Sequence, residues 1–499
     1  MKPRSIVPMR LVVLVLLAGA SVAAAPRVAR ATDITVNTTA DENNSDGDCS
    51  LREAIRAANL NAARDACPAG SNTVTDHVIL QNGATYTLTV AGTDNAALLG
   101  DLDVVNNTAA TDLLLDVAGG GTATIVQSSD PVDRIVDVRS GAGFVVEGVT
   151  FSGGSAPAGE SGGAIAIGAA AAVTVRRCAF TGNAAPVDGG AIAHDGAALG
   201  IETSTFTGNS AGASGGAVAA RGSGSTTITG TRFNGNVAET GSGGALASAG
   251  ALDVTASVFT GNRAALDGGA LASSSAQPGD VAVNGSCLVG NEDGVRATGG
   301  VAIDATGDWW GAADGPAGSG PGSGDPVGPD VTFTGFLASP PAACLPLEVV
   351  ANGDFEQNRG DPDLPDRWKT RNLVLPDEGV FCDESSCAVE LDGGGARTQV
   401  LQTIALAGNA GDVFTLHASS SAMEVPDAGG RYLVELRIVH ADGSVQTRAL
   451  KFAPGTHGLE IRTKTATASE PYVRLKVRVE YGRASGSVRF DDVSVVREP

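Results

Sequence analysis

Across residues 151–291 the chain alternates apolar and polar positions in short runs, such as Val173-Thr174-Val175 and Ala164-Ile165-Ala166-Ile167, each broken by Gly, Asn or Asp. Alternation at period two predicts strands, and the interrupting residues predict tight turns. The runs recur as one unit. A Phe-Thr-Gly-Asn motif, varied to Phe-Ser-Gly-Gly at Phe151 and Phe-Asn-Gly-Asn at Phe233, carries Phe151, Phe180, Phe206, Phe233 and Phe259, and a Gly-Gly-Ala-(Ile/Leu/Val) motif follows each one at Gly162, Gly189, Gly215, Gly243 and Gly268. The Gly-Gly pairs are 27, 26, 28 and 25 residues apart. Asn183, Asn209, Asn236 and Asn262 hold one place after their phenylalanines, and Asn291 continues the series after Leu288.

A unit of this length cannot bury its own apolar face, but coils stacked at the inter-strand spacing of ~4.8 Å share a continuous interior. The repeat therefore predicts a parallel β-helix over residues 76–340, with phenylalanine above phenylalanine and an asparagine ladder along one corner. Asparagine tolerates the left-handed turn conformation there, and the Gly-Gly pair supplies a second corner. Two residues before each phenylalanine stand the small residues Cys178, Ser204, Thr231 and Ser257, so Cys178 reads as a buried packing residue rather than a reactive thiol.

These repeats resemble those of the polymorphic outer-membrane proteins of bacterial surfaces, which implies a right-handed parallel β-helix. No C-terminal membrane barrel follows, which argues against autotransport. A solenoid also needs caps at its open ends. The segment Cys49-Ser50-Leu51-Arg52-Glu53-Ala54 begins a helix with Leu51, Ile55 and Ala58 on one face and a Ser50/Glu53 capping box. It resembles the CSLREA motif of secreted bacterial β-helix proteins, and residues 32–75 are expected to form the N-terminal cap. Asp308-Trp309-Trp310-Gly311 resembles the segment that closes many bacterial β-helices; the alternative, two tryptophans stacking on a sugar, is the less favoured reading. Residues 315–328, rich in Gly, Pro and Ser, read as a loop or linker.

From about residue 348 the repeat is gone. Alternating runs such as Tyr432-Leu433-Val434-Glu435-Leu436-Arg437-Ile438 and Val473-Arg474-Leu475-Lys476-Val477 predict an antiparallel β-sandwich over residues 348–499. Its opening Asn352-Gly353-Asp354-Phe355-Glu356 and closing Phe490-Asp491-Asp492-Val493 resemble those of carbohydrate-binding-module jelly rolls. That resemblance implies Glu356 and Asp492 as candidate ligands of a structural calcium; no other cofactor is expected.

The start of the chain has the form of a secretory signal over residues 1–31: Lys2, Arg4 and Arg10, an apolar run, then Ala29-Arg30-Ala31 before the expected cut. With the signal removed, the formal charge of −22 falls to −27, because Arg27 and Arg30 leave with the other three cations. Such a chain repels nucleic acid and anionic lipid, and no later run is long enough to span a membrane. Seven cysteines in an exported chain imply disulfides. Proximity in sequence suggests Cys49 with Cys67 and Cys382 with Cys387, and less firmly Cys287 with Cys344.

Many β-helices cleave polysaccharides, which requires carboxylates converging on one face. The repeats offer Asp188 and Asp267, both immediately before Gly-Gly, and His194-Asp195 before another glycine, all read as solvated turn residues. The expectation is a secreted or cell-surface scaffold or adhesin without catalysis, binding a polysaccharide or a surface protein. The alternative is a polysaccharide lyase or glycoside hydrolase with an appended binding module. Acidic side chains gathered from neighbouring coils into a lateral groove would favour the latter.

Overall fold

The computed structural model describes residues 30–105, 113–128, 132–275, 280–300, 302–341, 344–345, 347–355, 364–365, 367–375, 377–382, 386–394 and 397–498. Most of the expected signal segment and Glu356 lie outside them. The strand Arg30–Thr35 contains the last two residues of the expected signal.

Residues 30–332 wind into a parallel β-helix whose coils build an 11-stranded, a 10-stranded and an 8-stranded sheet, with a short 4-stranded sheet at one corner. The register is set by the repeat: Phe180 pairs with Phe151 and Phe206, and Phe233 with Phe206 and Phe259. The five rings stack with centroids 5.0, 4.6, 4.9 and 4.9 Å apart, all fully buried. Ring spacing thus matches strand spacing, so the phenylalanines of successive coils stack in one column within the core.

Two polar ladders run beside the ring stack. Asn183 Nδ2 donates to Asn209 Oδ1 at 2.9 Å, and the relation repeats from Asn209 to Asn236, Asn262 and Asn291. Asp325 ends this ladder, accepting Asn291 Nδ2 at 2.6 Å. The second ladder joins each backbone N–H two residues before the phenylalanine to the hydroxyl below: Cys178 to Ser204, Ser204 to Thr231, Thr231 to Ser257 and Ser257 to Ser286. Asp308 of the Trp-Trp motif terminates it by accepting Ser286 N–H at 2.7 Å.

The turn chemistry differs from expectation in one respect. The left-handed residue is the glycine before each asparagine, with φ of 62° at Gly182, 63° at Gly208 and 62° at Gly235. The asparagine is then free to point inward and bridge coils. In the Gly-Gly corner the first glycine is also left-handed, and the second leaves no space: a Cβ on Gly216 would lie 2.1 Å from Gly244 O.

At the N-terminal end the helix Leu51–Leu60 covers the first coil, its capping box formed at Ser50 and Glu53. Leu51, Ile55 and Ala58 join the core. Arg52 is wholly buried: it pairs with Asp41 at 2.7 Å and donates to Gly100 O at 2.7 Å and Asp101 O at 3.2 Å, tying the helix to the loop that leads into the rod. Cys49 is bonded to Cys67, Cys287 to Cys344 and Cys382 to Cys387.

Residues 315–328 are not a linker. The strands Pro316–Gly318 and Gly324–Val327 continue the 10-stranded sheet, because Asp325 must sit in the asparagine column and Val327 over Val295. Trp310 enters the core of the rod and the adjacent Trp309 that of the following domain, so the pair joins two interiors. That domain is an antiparallel β-sandwich of a six-stranded and a five-stranded sheet. No helix among the described residues is long and apolar enough to cross a membrane.

Candidate functional site

The 10-stranded sheet carries a groove on its outer face. In its three-residue strands the outer two positions serve the core, so the middle residue points outward. In register along the rod these middle residues are Asp103, Asp137, Ala166, Ala193, Ala219, Ala247, Ala272 and Arg296. Five alanines thus pave a floor of four strand steps, ~19 Å long. The corners on either side rise above it as walls. Ser214, Ser242, Ser274 and Thr298 line one stretch of about 360 Å³. Ser161, Glu160, Asp137 and Arg134 line a second of about 270 Å³ nearer the N-terminus.

Arg221 separates the two stretches. Its guanidinium pairs with Asp195 on one wall and reaches the other, donating to Ser161 Oγ at 2.7 Å and lying 3.7 Å from Asp188. Asp188 also accepts Ser214 N–H at 3.0 Å, so it is a turn residue of the expected kind as well as a wall residue of the groove. His194 departs from expectation. It is buried, in register with Ile167 and Ala220 on the core side of its strand, a slot left open by the small Ala220 below it. Its Nδ1 accepts Gly196 N–H at 3.2 Å, its Nε2 has no hydrogen-bond partner, and burial lowers its pKa. It is neither a solvated turn residue nor a wall of the groove. Asp267 holds the turn position equivalent to Asp188 three coils further on.

Carboxylates from neighbouring coils gather at the N-terminal end of the groove and in the buried layer behind it. Asp103 and Asp137 are cross-strand neighbours, and Asp101 and Asp133 flank them. Arg134 sits among them, 3.7 Å from Asp101 and 3.6 Å from Asp137, and also pairs with Glu160. Arg139 lies 2.5 Å from Asp137 and 4.0 Å from Asp103. Burial, reinforced by Asp103, Asp133 and Asp137, pushes Asp101 up to about 8; burial pushes Asp103 up to about 6. Asp101 and Asp103 are buried behind the groove rather than lining it; of this cluster Asp137, with Arg134 and Glu160, reaches the opening. The repeat hid this cluster because it lies in the irregular opening coils. The signal available was Leu102-Asp103-Val104 echoed by Val136-Asp137-Val138, an acidic residue at the outward position of successive strands.

Other candidate chemistry is set aside by burial. Trp309 and Trp310 are 1% and 0% exposed and offer no sugar platform. Burial pushes the Cys178 thiol up to about 12, leaving negligible thiolate at neutral pH. Asp492 is exposed, on left-handed backbone with φ 51°, in a cleft of about 280 Å³ between rod and sandwich that Asn352, Asp354 and Glu348 also line. These are hard oxygen donors of the kind calcium takes. Glu348, however, is already engaged, accepting from Val350 N–H, Val495 N–H and Ser494 Oγ.

A family model described as a right handed beta helix region matches residues 134–308. No curated protein matches the chain. Among solved structures, the enzymatically active domain of tailspike protein 4 of bacteriophage CBA120 aligns at 12% identity over 84% of this chain and 64% of its own, with a TM-score of 0.24. TmCBM61, solved with β-1,4-galactotriose, aligns at 16% identity over 30% of this chain and 97% of its own, with a TM-score of 0.22. The CBM22-1 xylan-binding domain of Paenibacillus barcinonensis Xyn10C aligns at 10% identity over 30% and 93%, with a TM-score of 0.21.

Proposed function

We propose that the protein is a secreted, non-catalytic scaffold that binds an extended polysaccharide along the alanine-floored groove of its β-helix, and that the terminal sandwich acts as a second, carbohydrate-binding-module-like contact. The observation that carries this reading is the composition of the groove. Its floor is alanine methyl groups, which let a ribbon-shaped polymer approach the sheet closely. Its walls carry the hydroxyls of Ser214, Ser242, Ser274 and Thr298, matched to a ligand that is itself rich in hydroxyls. Arg221 and its two aspartates supply the charged hydrogen bonds that fix register. Three disulfides suit an oxidising compartment. Calcium at Asp492, with Glu356, belongs to the same proposal and would brace the sandwich without taking part in binding.

A panel of neutral polysaccharides bound to the full chain tests the groove. Ala247→Trp fills the floor from an outward position and is expected to weaken binding at least tenfold with thermal stability unchanged. Binding unaffected by that substitution would remove the groove from the proposal, and binding to surface proteins alone would replace the polysaccharide.

One observation favours a second reading. Asp137, which lines the end of the groove, stands against Asp101 and Asp103, whose carboxyls burial pushes up. If the protein cleaves the polymer it binds, Asp137→Asn is expected to abolish turnover while binding persists.

A further inference from the structure

The outer face of the five-stranded sheet reverses the charge of the chain. Its central strand, Tyr472–Tyr481, sends Leu475, Val477, Val479 and Tyr481 into the core and so turns Arg474, Lys476, Arg478 and Glu480 outward. The neighbouring strand Tyr432–His440 presents Glu435 and Arg437 on the same side, and the edge strand adds the exposed Lys369 and Arg371. A protein of net charge −22 thus concentrates cations on one flat surface.

Two features of that surface point to a ligand. The first is that, among the described residues of this face, the buried charges are acidic. Glu480 is fully buried under Arg397 at 2.8 Å, Arg478 at 3.0 Å and Arg431 at 3.4 Å. Glu435 is held by Arg478 at 2.8 Å, Arg431 at 3.0 Å and Arg437 at 3.6 Å. Four guanidinium groups share two carboxylates, so the arginines are ordered before any ligand arrives and retain a net positive charge. Preorganisation of this kind lowers the entropic cost of binding.

The second feature is an arrangement that stability alone does not favour. Lys476 lies directly across the ladder from Arg437, and like charges opposite each other on a sheet repel. Arg474 follows two residues away on the same strand, and neither Arg474 nor Lys476 has an ion-pair partner among the described residues. Arg474 also forms the rim of a cavity of about 380 Å³ shared with Thr403 and, from the end of the rod, Gly311, Ala312 and Ser323. A row of unneutralised cations therefore leads into a recess at the domain junction.

We propose that this face binds a carboxylated polysaccharide, whose uronate groups are taken by Arg474, Lys476 and Arg437. Carboxylate is the favoured anion because the neighbouring arginines of this face, Arg431 and Arg478, already pair with the carboxylates of Glu435 and Glu480. The site is distinct from the groove of the rod, and its ligand differs in charge.

Affinity electrophoresis and calorimetry of the full chain with polygalacturonate test it. R474E/K476E is expected to lower affinity at least tenfold, and R176E/R263E, which reverses as many exposed cations on the rod, to leave it within twofold. Binding should weaken steeply as salt rises. Because Lys476→Glu places an acid opposite Arg437, the first variant should melt no lower than wild type, and Lys476→Gln provides a neutral check. No binding of wild type to polygalacturonate, or equal losses in the two reversal variants, would overturn the proposal. Tighter binding of dextran sulfate or duplex DNA than of polygalacturonate would overturn the assignment to carboxylate. Ala247→Trp, which blocks the groove, should not change polygalacturonate binding, so this test and that of the groove fail separately.

Discussion

Replacing Asn236 by alanine should be among the most damaging single changes in the rod. The side chain is fully buried and makes four hydrogen bonds: Nδ2 donates to Phe206 O at 3.0 Å and to Asn262 Oδ1 at 2.9 Å, while Oδ1 accepts Asn209 N–H at 3.0 Å and Asn209 Nδ2 at 2.9 Å. Each bond contributes about 1 kcal/mol net, and a partner left dry and unpaired costs about 1–3 kcal/mol. Truncation removes four bonds and strands two donors of Asn209 and the acceptor Phe206 O, while Asn262 Oδ1 keeps the backbone N–H of residue 236, so the loss is about 4 kcal/mol. Asn234, two residues earlier and partly exposed on the outer side of the same turn, is the control: Asn234→Ala should cost less than about 0.5 kcal/mol. Denaturant unfolding followed by far-UV circular dichroism gives both values, and native-state hydrogen exchange reports whether the loss is local to coils flanking Asn236. A difference between the two variants below about 1 kcal/mol would mean that the ladder is not dry and that its amides do not join the coils.

Phe206→Ala should cost about 3–5 kcal/mol by the same assay, since it opens a cavity between rings at 4.6 and 4.9 Å; a loss under about 1 kcal/mol would place the rings in solvent. Cys178 should resist iodoacetamide in the native protein and react only after denaturation, as mass spectrometry will read. Asp308 is pushed up to about 8 by burial, so the folded state holds a proton that the unfolded state, near 4, releases. Its contribution to stability is complete below pH 4 and is lost as pH rises through about 8. Thermal melts from pH 6 to 9 should therefore show a falling midpoint in wild type and a shallower fall in Asp308→Asn.

The rod was legible in the sequence because one register governs it. Phe180, Asn183 and Gly189 recur with their equivalents in each coil, and stacking converts a linear period into columns. The capping helix was legible for a local reason, the reciprocal Ser50 and Glu53 bonds. What was hidden depends on the fold bringing dissimilar segments together. Asp101 and Asp133 come from coils outside the repeat and meet only because their strands are neighbours. The alanines of the groove carry no chemical signal in the sequence; register places Ala193, Ala219 and Ala247 in one line. His194 was misjudged because a neighbouring glycine suggests a turn, whereas the slot above Ala220 admits an imidazole into the interior. Residues 315–328 have the composition of a linker, yet Asp325 is fixed there as the last rung of the asparagine ladder.

The decisive measurement is prolonged incubation of wild-type protein with whichever polysaccharide it binds, followed by size analysis of the polymer and a count of new reducing ends. A groove that only holds its ligand leaves the polymer at full length, with binding lost in Ala247→Trp. Progressive shortening that disappears in Asp137→Asn would instead make the acidic end of the groove an active site.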